Sequence, residues 1–119
     1  MTFETHVRAA ADRLELEREP VPPAQVAAGS PSTGLAVLGE FAGSEIGVWE
    51  LTPGVVHDVE ADEVFVVLSG CATIDFEDGG NPIEVRAGDV VHLRDGQRTR
   101  WTVTETLRKV YVTPLDRES

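Results

Sequence analysis

The sequence holds one cysteine, Cys71, so no disulfide can close within a chain, and a lone thiol suits a reducing, cytoplasmic setting. No apolar run approaches the ~18 residues that a membrane span requires, which sets aside a membrane partner. The first twenty residues, MTFETHVRAAADRLELEREP, have neither a basic leader nor an unbroken apolar stretch and do not read as a secretory signal. Cations are scarce: 10 Lys and Arg stand against 21 Asp and Glu, a net charge of −11. The cluster Arg94, Arg98, Arg100, Arg108 and Lys109 is too small to reverse that field, so nucleic acid is not an expected partner. No internal repeat stands out. What remains is ordinary globular composition, 41% hydrophobic and 26% charged, in a length that suits one domain.

Residues 1–20 read as an N-terminal extension and residues 21–119 as the folded domain. In the extension, Phe3, Val7, Ala10 and Leu14 could share a helical face, whereas Leu14-Glu15-Leu16-Glu17 alternates like a strand, and the two patterns leave its conformation open. Pro20, Pro22 and Pro23 end any regular element. From Leu35 onward the pattern is all β: Leu35–Leu38, Glu45–Leu51, Glu63–Leu68, Cys71–Glu77, Ile83–Arg86, Val90–Leu93, Arg100–Thr104 and Leu107–Thr113 are short runs of branched and aromatic residues. Gly, Pro, Asp and Asn separate them, and Asp78-Gly79-Gly80 is the strongest hairpin signal because glycine supplies positive φ. Strands at this spacing indicate a sandwich or barrel. The unbroken Val66-Val67-Leu68 and Val90-Val91 suggest strands partly covered on both faces.

Two stretches carry a family pattern. Gly54 to Gly70, GVVHDVEADEVFVVLSG, resembles the first motif of the cupins, with Glu63 and Gly70 in the motif's spacing, His57 at its first histidine and Val59 at its second. Gly88 to Val103, GDVVHLRDGQRTRWTV, resembles the second, with Thr99 where its histidine would stand and Arg94 in place of its proline. Further segments, Gly47–Gly54, Ser69-Gly70, Ala87-Gly88-Asp89, Thr99-Arg100-Trp101 and Arg108–Val112, are similar to the ureidoglycine aminohydrolase-type cupins, a subgroup that includes ethanolamine-utilisation cupins. The resemblance spans about residues 20–113 and implies an all-β, single-domain antiparallel jelly-roll barrel, often dimeric.

In metal-binding cupins three imidazoles and one carboxylate hold a divalent ion, a set suited to Fe, Mn, Ni or Zn. Here the resemblance retains only His57 and Glu63, since valine has no lone pair and a neutral threonine hydroxyl is a poor ligand. The expectation is therefore no cofactor, or at most a weakly held divalent metal on His57 and Glu63. His92 is set on the outer face by the inward parity of Val91 and Leu93. A Glu63 pointing into the barrel without a metal must be paired or protonated. Lys109 or Arg100 is the candidate partner, and Lys109 shares a face with Tyr111. With Trp49, Phe65, Thr99 and Trp101 these residues outline a pocket for a small polar metabolite, although for any one of Trp49, Phe65 and Trp101 plain core is the favoured reading. Cys71 lacks a neighbouring base and is read as a buried structural thiol. Asp75, Glu77 and Asp78 are read as a solvated hairpin tip.

Three readings follow: a metal-free small-molecule-binding cupin, a metal-dependent enzyme of the ureidoglycine aminohydrolase kind, and a non-catalytic dimerisation module. The first is preferred, with a homodimer expected. No complete catalytic set is present, so the enzyme question stays open.

Overall fold

Branched residues favour the pleated backbone, and the glycines between them allow its turns. In the computed structural model, which describes residues 8–115, they build one antiparallel sheet of nine strands. In chain order these are β1 (Glu17–Pro20), β2 (Val26–Ala28), β3 (Ser32–Phe41), β4 (Ser44–Leu51), β5 (Gly54–Val59), β6 (Glu63–Phe76), β7 (Ile83–Arg86), β8 (Val90–Leu93) and β9 (Arg98–Pro114). A single 3-10 turn, Pro23–Gln25, interrupts them. No helix among the described residues is long and apolar enough to cross a membrane.

The 17-residue strand β9 organises the sheet. Its C-terminal half pairs with β4 (Trp49 opposite Lys109, Gly47 opposite Tyr111) and its N-terminal half with β5 (Val56 opposite Trp101, Asp58 opposite Thr99). Along its other edge runs β6, which also carries the short strands β7 and β8. Because one strand serves three neighbours, the sheet must curl, and its concave face becomes the interior. Phe65, Val67, Ile74, Leu93, Trp101, Val103 and Leu107 form the core there, each at most 3% exposed.

Two expected strand breaks are bends instead. Glu63–Leu68 and Cys71–Glu77 merge into β6, and Arg100–Thr104 and Leu107–Thr113 merge into β9, with the pairing register shifting between Val67 and Ala72. Gly70 sits at this bulge with φ +84°, and a Cβ there would drive into the carbonyl of Thr106. The β3–β4 hairpin turns on Ala42 and Gly43, both at positive φ (53° and 76°), which is the backbone of a two-residue type I′ turn.

Residues 17–20 pair with β3 as an edge strand of the chain's own sheet. The segment before them packs Leu14 and the buried Leu16 against Leu38 and Val48 on the convex face, a second, smaller core. Arg108 ties it down: Nη1 donates to the carbonyls of Ala11 and Leu14, both at 2.9 Å, and Nε donates to Glu50 at 3.0 Å. Arg18 pairs with the same Glu50. Burial alone would raise the Glu50 carboxyl, but the two guanidiniums outweigh it and hold its pKa below the usual range. Phe3 and Val7, two of the four residues proposed for a helical face, lie outside the described residues.

The convex face is less covered than its valine runs suggest. Val64, Val66, Val90 and Val112 are 38–68% exposed. They adjoin one another through the pairs Val64 with Val112 and Val66 with Val90.

Candidate functional site

Alternation along three strands aims one set of side chains at the concave face. On β9 these include Thr99, Trp101, Lys109 and Tyr111; on β4, Trp49; on β6, Glu63, Phe65 and Val67. The cross-strand neighbours of Lys109 are Trp49 on one side and Val67 on the other, so its side chain rises between aromatic walls. It is the chain's only lysine and its side chain is 6% exposed. Nζ lies 4.1 Å from the ring centre of Phe65, 4.4 Å from that of Trp49 and 5.1 Å from that of Trp101. The same nitrogen is 2.6 Å from Glu63 Oε2. That oxygen is fully buried and lacks an aligned hydrogen bond, so the contact is an ion pair held by charge and proximity. An ammonium facing three aromatic rings and one carboxylate has its charge offset by the protein itself.

A second polar group stands beside the first. Thr99 Oγ1 donates to Glu60 Oε2 at 2.6 Å, and Trp101 Nε1 donates to the same oxygen at 3.0 Å. Glu60 is 6% exposed and Thr99 is fully buried. Trp101 is therefore both a core residue and a positioned donor, packed edge-on against Trp49 at 5.8 Å and 64°. Tyr111 donates its hydroxyl to Glu45 at 2.7 Å; burial and this acceptor push the phenol up from its usual value. Its ring covers Gly47, where any Cβ would collide with it.

Two hollows open above these residues. One, of about 250 Å³, is lined by Lys109, Glu63, Glu60, Tyr111 and Leu35 among others. The other, of about 300 Å³, is lined by Glu19, Val21, Gln25, Thr33 and Leu51 among others. Trp49, Asp58 and Trp101 line both, so the two hollows are neighbours. Asp58 is exposed overall yet lines both hollows, and burial first and Glu60 second push its pKa up to about 6.

His57 lines the second of these hollows from its rim, not from its floor. On β5 the inward positions are Val56 and Asp58, opposite Trp101 and Thr99, while His57 and Val59 face outward opposite Arg100 and Arg98. The His57 ring reaches only the rim, where Nδ1 lies 3.1 Å from Glu77, and Val59 is 65% exposed. The two motif histidine positions on this strand thus point away from Glu63, and the inward acid is Asp58. Motif spacing missed both Asp58 and Glu60, because the acidic run Asp58–Asp62 reads as a solvated loop. Alternation groups Asp58 with Val56, but nothing in the sequence says which face of β5 is inward. His92 is exposed, on the outer face. Cys71 is half-buried rather than interior, with Sγ 3.1 Å from Thr104 Oγ1. Glu77 and Asp78 are exposed, and Asp75 is half-buried, 3.8 Å from Arg100. Among the described residues, no three His, Cys, Asp or Glu side chains converge as a metal-ligating group.

The EutQ-like cupin domain model matches residues 38–111, from the buried Leu38 through Lys109 and Tyr111. The chain is a EutQ-like cupin. Among curated proteins, no relative matches this cupin significantly. Solved structures share its fold. A Pseudomonas syringae pv. tomato protein of unknown function from the DUF861 family is 26% identical with a TM-score of 0.72, over 83% of this chain and 44% of that one. This cupin therefore spans under half of that protein. A Salmonella typhimurium LT2 protein described as a putative ethanolamine utilization protein is 23% identical with a TM-score of 0.59, over 69% of this chain and 68% of that one. The Clostridium difficile EutQ protein is 19% identical with a TM-score of 0.55, over 71% and 65%. At these identities the last two establish the fold alone.

Proposed function

We propose that this cupin binds a small polar metabolite in the cavity between Trp49, Asp58 and Trp101, without a metal. The carrying observation is Lys109. Glu63 stands at the position of the family's carboxylate ligand, and the Lys109 ammonium already neutralises it at 2.6 Å. The other motif positions do not fit a divalent ion either: His57 and Val59 face outward, and Thr99 is committed to Glu60. A metal would have to displace a buried ammonium from three aromatic faces and then be held by one carboxylate, far short of the usual ligand number. A cavity of about 300 Å³ with aromatic walls and a few convergent polar groups is at the small end of metabolite sites.

The test is elemental analysis after incubation with Fe(II), Mn(II), Ni(II) or Zn(II), on the wild type, His57→Ala and Glu63→Gln. Substoichiometric metal in all three is expected, together with thermal-shift responses to polar metabolites that Trp49→Ala abolishes. Near-stoichiometric metal in the wild type, lost in Glu63→Gln, would overturn this reading in favour of a metal-dependent enzyme of the ureidoglycine aminohydrolase kind.

A homodimer is part of the same proposal. The exposed valines Val64, Val66, Val90 and Val112, with His92 opposite Val64, form a largely apolar strip on the convex face that a second copy would cover. Light scattering of Val90→Asp/Val112→Asp tests this: a monomeric variant beside a dimeric wild type is expected, and a wild-type monomer would refute it.

A further inference from the structure

The charge of the cavity narrows what it can take. Four carboxyl side chains, Glu19, Asp58, Glu60 and Glu63, line the two hollows against one ammonium, Lys109. Lys109 is consumed by Glu63, and His57, the base at the rim, is bonded to Glu77. An anionic ligand would meet uncompensated carboxylates and find no free cation along these walls, since Arg18, in the hollow that shares Glu19, Thr33 and Trp49, is paired with Glu50. The chain's net charge of −11 acts in the same direction at longer range.

The molecule also displays the chemistry its interior accepts. The floor of the cavity already holds a primary ammonium, between the Phe65, Trp49 and Trp101 rings and the Glu63 carboxylate. The hollow beside it repeats those ingredients with Trp49 and Trp101 as walls and with Asp58 and Glu19 as acids, but without a lysine or arginine of its own. Resting on the cavity reading above, we propose that the Glu19–Asp58 hollow binds a small organic cation, an alkylammonium or amidinium group, held against the Trp49 ring and paired with Asp58. The raised Asp58 carboxyl agrees with this, since a bound cation would supply a counter-charge that favours its ionised form.

The chain has two tryptophans, so the indole N–H signals in a ¹⁵N-correlation spectrum give one reporter in the hollow, Trp49, and one on Glu60, Trp101. Propylammonium, propionamide, propionate and inorganic phosphate would be titrated at matched ionic strength into the wild type, Asp58→Asn and Glu19→Gln. The expected result is a saturable shift of the Trp49 signal with propylammonium, no shift with propionate or phosphate, and about tenfold weaker ammonium binding in Asp58→Asn, as loss of one charge-assisted contact implies. Saturable binding of propionate, phosphate or propionamide equal to or tighter than that of the ammonium would overturn the cationic class and leave the small-molecule cavity standing. The same holds for ammonium binding that Asp58→Asn leaves unchanged. No shift with any of the four probes would overturn both the cavity reading and the inference.

Discussion

Replacing Lys109 with methionine removes the ammonium while keeping an unbranched apolar side chain of similar length, which isolates the charge from the packing. The side chains of Lys109 and Glu63 are 6% and 15% exposed, so neither charge is offset by water when the other is deleted. Removing one partner of a buried pair costs ~3–5 kcal/mol, and the partial exposure of Glu63 puts the expectation at the lower end, about 3 kcal/mol. For a domain of this length that corresponds to a fall in Tm of roughly 12 °C. Glu63→Gln leaves a buried ammonium still faced by three rings, whose attraction is worth up to ~2 kcal/mol when desolvated, so its cost should be the smaller of the two. The double variant leaves no charge unpaired and should lie within about 1–2 kcal/mol of the wild type, giving a coupling energy of at least ~2 kcal/mol. Urea denaturation of the four proteins at neutral pH measures all three quantities. Additive single effects, or a Glu63→Gln variant as stable as the wild type, would refute the argument that this pair stabilises the barrel floor.

Asp58 supplies a pH test. With its pKa pushed up to about 6 from the ordinary 3.8, the folded state binds the proton more tightly than the unfolded chain, so this residue makes the protein more stable as pH falls from 7 towards 4. Asp58→Asn should therefore raise Tm at pH 7.5 and lose that advantage near pH 4; a Tm difference constant across the range would count against it. Gly70→Ala should cost more than Gly88→Ala: both sites have positive φ, but only at Gly70 does the new Cβ meet a backbone carbonyl. The expectation is above ~2 kcal/mol against about 1 kcal/mol, read from urea midpoints, and equal costs would mean that the bulge relaxes freely. Arg108→Ala frees the carbonyls of Ala11 and Leu14, so amide exchange should accelerate in residues 9–20 well before it does in β6. Uniform acceleration would show that this segment is not a separable unit.

The β content was legible because branched residues and glycine turns are local signals. Ile83–Arg86 and Val90–Leu93 match β7 and β8 residue for residue. The lengths of β6 and β9 were not legible, since Ser69-Gly70 has the composition of a turn. It is a bulge only because Thr106 of the neighbouring strand lies against it. Within the site, strand parity and the family motif narrowed the partner of Glu63 to Lys109 or Arg100, and the structure pairs it with Lys109. β5 was different. In Val55-Val56-His57-Asp58-Val59 either parity leaves an apolar and a polar residue on each face, so alternation gives no preference between His57 and Asp58.

Alone, then, the amino-acid sequence determined the antiparallel β class, the barrel family, the scarcity of cations and the presence of a carboxylate and a lysine on inward strands. Each of these rests on residues close together or on motifs with set spacing. Tertiary structure decided which face of β5 turns to the cavity, and did so through its register with β9: Val56 opposite Trp101 turns Asp58 toward the hollows and leaves His57 at the rim. It likewise decided that Glu60 turns inward to Thr99 and Trp101, some forty residues away, and that Val64, Val66, Val90 and Val112 stay uncovered among the described residues. A strand's two-residue period defines two faces; only pairing between distant strands assigns one of them to the cavity.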